Sequence, residues 1–125
     1  MKNKLEIDLR DNYLDDSIVV AIVDMLENNR NVLELVLWLP SNYISDTGAV
    51  VVFQEIEKLK KLRQLIVNLE WNFDITNKSV EALCKAIRSL PEIDSLIVRM
   101  SRLNNQAHSR QQASCRSLCQ HGPRA

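Results

Sequence analysis

Residues 32–48 read VLELVLWLPSNYISDTG, and the two halves of this stretch follow different rules. From Leu33 to Leu39 the leucines fall on every second position, with Glu34, Val36 and Trp38 between them. Period two is the mark of a half-buried β-strand. Asn, Ser, Asp and Thr then follow, residues that suit turns and helix N-caps. Beyond them, VFQEIEKLKKL at 52–62 spaces its apolar residues by three and four, as one face of a helix does. The stretch therefore predicts strand, turn and helix in that order.

The same order recurs along the chain. A shift of thirty places Leu5, Ile7, Leu9, Asn12, Leu14 and Asp16 on Leu35, Leu37, Leu39, Asn42, Ile44 and Asp46. A second shift of thirty places Leu35, Leu37, Leu39 and Asn42 on Leu65, Val67, Leu69 and Asn72. One residue then enters near Asp74, and a shift of 31 takes Leu65, Val67 and Leu69 to Leu96, Val98 and Met100. Helix positions follow the same offsets, from Ile22 and Leu26 through Val52 and Ile56 to Leu83 and Ile87. A repeat of about thirty residues means stacked units, because one unit cannot bury its own apolar side. Asp46 or Thr47, and Asn77 or Ser79, are the expected helix caps.

Two segments conflict with this order on propensity alone. SIVVAIV at 17–23 and GAVVVF at 48–53 are β-branched, which favours strands. Their place in the repeat, between cap residues and a helix face, predicts helix.

The pattern L-x-x-L-x-L-x-L-x-x-N-x-I followed by a helix resembles the leucine-rich repeat family, and its α-helical units look most like the ribonuclease-inhibitor-like subtype. The resemblance covers residues 2–100 and is clearest in the opening stretch and in LRQLIVNLEWNFDIT at 62–76. The strand segment is two residues longer than the commonest form, and in the fourth copy Leu103 stands where Asn is expected, with Asn104 next to it. The resemblance implies an α/β solenoid of about three strand–helix units, with a parallel sheet on the concave face and helices on the convex face. It also implies an inward row of Asn12, Asn42 and Asn72, each satisfying backbone groups where the chain bends off its strand.

Strand residues that do not point inward then form three columns on the concave face: Glu6, Val36, Ile66 and Ile97; Asp8, Trp38, Asn68 and Arg99; Arg10, Pro40, Glu70 and Ser101. An apolar patch rimmed by charge on a wet face marks a protein contact site. Val36, Trp38, Ile66, Asn68, Glu70, Ile97 and Arg99 are the candidate partner-binding residues of a protein–protein interaction scaffold, in one view a fragment of a longer solenoid. The bland alternative is cover by a neighbouring domain, a second copy or the tail. The family resemblance adds another reading, a regulatory repeat region of a larger enzyme or of a GTPase-activating protein. Trp71 and Phe73 are expected to pack within their turn. Asp15 and Asp16 read as solvated turn residues, and EIEKLKKLR at 55–63 as a charged helix face.

Residues 101–125 form a different segment, rich in Ser, Gln and Arg and expected to be disordered. Sixteen basic and sixteen acidic residues cancel over the whole chain, but every acid lies at or before Asp94 and four arginines lie after Met100. Overall neutrality argues against nucleic acid and anionic membrane as partners. No apolar run is long enough to span a membrane, and the first ten residues lack the apolar core of a secretory signal. Three cysteines without framework spacing point to a reducing compartment, with the cytoplasm as the default. Both histidines, His108 and His121, lie after residue 100, so no catalytic arrangement is expected in the repeat body and the chain reads as no enzyme. Cys115, Cys119 and His121 are too few for a zinc site, and two glycines cannot build a phosphate loop, so no metal or cofactor is expected. Neither end of the repeat stack carries a polar cap, which leaves the protein partner unidentified and self-association through the ends open.

Overall fold

A computed structural model describes residues 3–100. Seven regular elements follow in chain order: β1 (Lys4–Asp8), α1 (Val19–Glu27), β2 (Glu34–Trp38), α2 (Asp46–Ile56), β3 (Gln64–Leu69), α3 (Asn77–Arg88) and β4 (Ser95–Met100). A short 3-10 turn, Asp16–Ile18, leads into α1. The strands form one parallel sheet in the order β1-β2-β3-β4. Helix α2 packs between α1 and α3. The two β-branched segments are helical, because alternating them as strands would leave the sheet without a second layer to bury it.

Register follows the repeat. Leu35 pairs with Leu5 and Leu65, and Leu65 pairs in turn with Leu96. The offset is thirty at the first two interfaces and 31 at the third, where Gln64 meets Ser95. Leu35, Leu37, Leu39, Leu65, Val67 and Leu69 are buried against Ile22, Leu26, Val52, Ile56, Leu83 and Ala86. Each fully buried leucine contributes roughly 1.5–3 kcal/mol of desolvation, which the cost of chain ordering largely offsets.

The helices are shorter than their apolar spacing. Helix α2 stops at Ile56, yet Leu59 and Leu62 beyond it are fully buried. Turn bonds from Leu59 N to the Ile56 carbonyl and from Leu62 N to the Leu59 carbonyl carry the apolar spacing on without the helix. These two leucines close the core between the helix end and the next strand.

The expected caps shift by one residue. Ser45 caps α2, its side chain accepting from Thr47 N, and Thr76 caps α3, accepting from Lys78 N. Asp46 and Asn77 are instead the first helical residues. Glu55 sits deeper than its place on a charged helix face suggests. It is buried, with Arg30 Nη2 at 3.4 Å and Lys58 Nζ at 3.3 Å, so two cations offset its desolvation.

Candidate functional site

The joints between strand and helix show how each unit is locked to the next. Asn42 Oδ1 accepts from Asn12 N at 3.1 Å and from Leu14 N at 2.8 Å, while Asn42 Nδ2 donates to the Leu9 carbonyl at 2.9 Å. One repeat later, Asn72 Oδ1 accepts from Ile44 N at 2.9 Å and Asn72 Nδ2 donates to the Leu39 carbonyl at 2.8 Å. Each buried amide thus satisfies the backbone of the preceding coil as well as its own bend. Asn12 corrects the expected row. Its side chain is exposed, and it joins only through its backbone N–H, because among the described residues no coil lies beyond β1 for its amide to serve.

A second lock runs through the aspartates. Asp16 accepts from Ser45 N at 2.8 Å and from Ser45 Oγ at 2.5 Å. Asp46 accepts from Thr76 N at 2.8 Å, and from Thr76 Oγ1 and Ser79 Oγ at 2.5 Å each. Each carboxylate therefore holds the helix cap of the following unit. Burial pushes the Asp46 carboxyl up, but hydrogen bonds from Ser79 and Thr76 outweigh it and hold the group below the ordinary carboxylate range. Gly48 belongs to the same lock, since a Cβ there would strike the Asp16 carboxylate. The paired acids are thus structural rather than merely solvated: Asp15 accepts from Ser17 N at 2.9 Å and Ser17 Oγ at 2.6 Å, which lowers its pKa. The signal for this lock was present in the recurrence of Asp16 at Asp46, followed each time by a hydroxyl residue 29 or 30 positions on.

On the concave face the sheet register aligns Glu6, Val36, Ile66 and Ile97 in one row and Asp8, Trp38, Asn68 and Arg99 in the next. The rows are not uniformly accessible. Val36, on an interior strand, is 6% exposed, while Ile97, on the edge strand β4, is 44% exposed. Ile66 is half-buried. Asn68 is buried, and its Oδ1 accepts from Glu70 N at 2.9 Å, so it forms floor rather than relief.

The two halves of this face differ in pairing. Towards β1, Trp38 Nε1 donates to Glu6 Oε2 at 2.8 Å, and the Arg10 guanidinium lies 5.6 Å from the Trp38 ring centroid. Arg10 also grips Asp8 with two bonds, Nε to Oδ1 at 2.9 Å and Nη2 to Oδ2 at 2.7 Å. That contact lowers the Asp8 pKa and raises that of Arg10. Towards β4, Ile97 and Arg99 are exposed, and among the described residues no carboxylate pairs with Arg99.

Leiomodin-1 actin-binding site 2 (ABS2) is similar to the chain, with a TM-score of 0.58 at 17% sequence identity. The match covers 88% of this chain and 62% of that one, so the chain spans less than two thirds of its neighbour's length. The fold is a leucine-rich-repeat solenoid. At this identity the likeness concerns the fold. No protein-family model matches the chain, and no curated protein does.

Sequence reasoning missed one feature, at the outer rim of the joints. Tyr13, Tyr43, Trp71 and Phe73 are 77%, 60%, 56% and 73% exposed, so the last two do not pack into their turn. They pack on each other instead, edge to face at 5.9 Å, while Tyr13 stacks beside Tyr43 at 6.2 Å. Tyr13, Tyr43 and Phe73 recur at intervals of thirty, which was legible once the repeat was aligned.

Among the described residues there is no group of three metal-ligating side chains and no helix long and apolar enough to cross a membrane. His108, Cys115, Cys119, His121, Ser101 and the whole Ser/Gln/Arg-rich segment lie outside the described residues.

Proposed function

We propose that the chain is a protein-interaction scaffold of the ribonuclease-inhibitor-like kind of leucine-rich repeat, contacting its partner through the concave sheet face. The observation that carries this reading is the exposed end of that face at Ile97 and Arg99, continuous with Ile66 and without a paired carboxylate among the described residues. An apolar residue beside an unpaired guanidinium is the composition of an interface anchor. Glu70, at the rim of the same face, completes its polar border, while Val36, Asn68 and the pinned Trp38 give it a rigid floor. A helix after each of β1, β2 and β3 supports the subtype. The structural neighbour is named as an actin-binding site of leiomodin-1, which favours a protein partner over a catalytic role.

The open edge of β1 supports a further element of this reading, that more coils or a second copy can stack there. A recess of about 660 Å³ borders Asn3, Lys4, Leu5, Glu6 and Asn29 on that side. A cytoplasmic setting remains part of the proposal, on the cysteine usage alone.

The test is capture by the immobilised full-length chain, wild type against the double variant Ile97→Asp, Arg99→Glu, with actin as one defined bait. Loss of the captured partner in the variant, with an unchanged melting curve, is the expected result. Equal capture by both proteins removes the concave face from the proposal.

A further inference from the structure

The joint backbone is held from inside by Asn42 and Asn72 and displays four aromatic rings outside. Rings mounted on a fixed backbone lose little freedom on binding, which is the advantage of a preorganised surface. Trp71 adds a second, independent sign. Its φ is +66°, the left-handed region, where its repeat equivalents Asp11 and Ser41 have φ of +57° and +59°. Asp tolerates that conformation, and small residues suit turns, whereas a bulky indole does not gain from it. Local packing does not explain the indole either, since more than half of it faces solvent.

The surrounding charge is mainly acidic. Joint segments 10–16, 40–46 and 70–76 contain six acidic residues against one basic residue, Arg10. Asp15, Asp16 and Asp46 are engaged at the helix starts, which leaves Asp11, Glu70 and Asp74 outside those cap bonds. The nearest cations in sequence are Arg10, gripped by Asp8, and Lys78, which faces Asp46. Acidic groups beside aromatic faces select a flat, delocalised cation, and guanidinium both stacks on rings and bonds carboxylates. The protein shows this chemistry once already, where Arg10 holds Asp8 while lying over Trp38.

Spacing defines the occupant further. Tyr13 and Tyr43 are 6.2 Å apart, ring to ring. Two residues of extended chain advance by about 6.2–6.8 Å, so alternate side chains meet successive rings. The chain's own arginines beyond residue 100 are Arg102, Arg110, Arg116 and Arg124, never closer than six positions, so they offer no such pair.

We propose that the aromatic rim docks an extended segment of a partner protein that carries arginines at alternate positions. One guanidinium enters the cavity of about 260 Å³ bordered by Tyr13, Ser41, Asn42, Tyr43, Trp71 and Phe73. A recess of that size has room for an arginine side chain. The rim is a different surface from the concave face, and the proposal does not depend on that face being used.

The experiment is fluorescence anisotropy of a labelled Gly-Arg-Ser-Arg-Ser-Arg-Gly peptide with the full-length chain. Comparison peptides carry Lys for Arg, or the three arginines in one block. Trp71→Asn keeps a residue suited to the left-handed backbone and removes the ring, so it tests binding without threatening the fold. The expected result is a Kd about 10-fold weaker for Trp71→Asn and for the Lys peptide, a clear preference for alternating over blocked arginines, and no change for Ile97→Asp. No binding, equal Kd values for wild type and Trp71→Asn, or equal Kd values for the Arg and Lys peptides overturns the proposal. A gain of about 10-fold when Arg102, Arg110, Arg116 and Arg124 are all changed to Gln identifies the chain's own C-terminal segment as the occupant and overturns the partner assignment. Concentration-dependent self-association that is lost in Trp71→Asn assigns the rim to a second copy, with the same consequence.

Discussion

The first joint, RDNYLDD at 10–16, and the second, PSNYISD at 40–46, share Asn, Tyr and the final Asp but not their physics. Asn42 is buried and serves two coils, whereas Asn12 is exposed and contributes a backbone N–H. The difference teaches that the asparagine works on the coil before it. Where the described residues offer no preceding coil, the side chain has no backbone of such a coil to satisfy, and Asn12 stays exposed. The aspartates behave in the opposite sense. Asp16 and Asp46 both act on the coil after them, so the first joint loses its asparagine role yet keeps its aspartate role.

The sharpest way to break this comparison is to replace each asparagine by leucine. Asn42→Leu and Asn72→Leu leave buried backbone groups unpaired and are expected to cost about 1–3 kcal/mol each. For a body of this size that lowers the melting temperature by about 4–8 °C per kcal/mol. Asn12→Leu should stay within about 0.5 kcal/mol of wild type. Equal losses at Asn12 and Asn42, measured by thermal unfolding, would show that the residue acts within its own coil.

Next in size is Gly48→Ala. On helix propensity alone alanine gains about 1 kcal/mol over glycine. Here the new methyl meets the Asp16 carboxylate and Val19, and overpacking of this kind costs about 1–3 kcal/mol. The net expectation is destabilisation, read as a lower urea midpoint. Stabilisation would mean that Asp16 can swing away without loss, and that the aspartate lock is weak.

Trp71→Asn should act in the other direction, with a gain of up to about 1 kcal/mol from relieved left-handed backbone. Loss of stability on this change would show that the indole supports the fold after all, as the turn-packing expectation held.

The last test concerns Asp46, whose pH dependence carries the information. The folded pKa lies below the unfolded one, so its contribution is fully present above the unfolded value. It is lost as pH falls through the folded value, below the ordinary carboxylate range. The melting-temperature gap between wild type and Asp46→Asn should therefore be constant from pH 5 to 8 and shrink by about pH 3. A gap that stays constant to pH 3 would show that the charge on Asp46 is irrelevant to the lock.

Much of the fold was legible because the repeat states each position more than once. A leucine at every second place could be a strand in any sheet, but its return at offsets of thirty, thirty and 31 predicted the parallel register from Leu5 through Leu35 and Leu65 to Leu96. The same logic overrode β-branched propensity in α1 and α2. The candidate site was less legible. Register placed Val36 and Ile97 in one row, but alternation says which side a residue faces, not how deeply its neighbours cover it. Interior-strand Val36 is covered and edge-strand Ile97 is not.

By itself, then, the sequence determined the order of elements, the strand register and which strand residues turn inward, since all three follow from local period and repetition. Only the tertiary structure decided that Ser45 and Thr76 are the caps, that Asp16 and Asp46 clamp them across repeats, that Glu55 is buried under two cations, and that the aromatics stand outside. These depend on distances between residues about thirty apart in the chain. Such distances are set by how coils stack, and no local period encodes them.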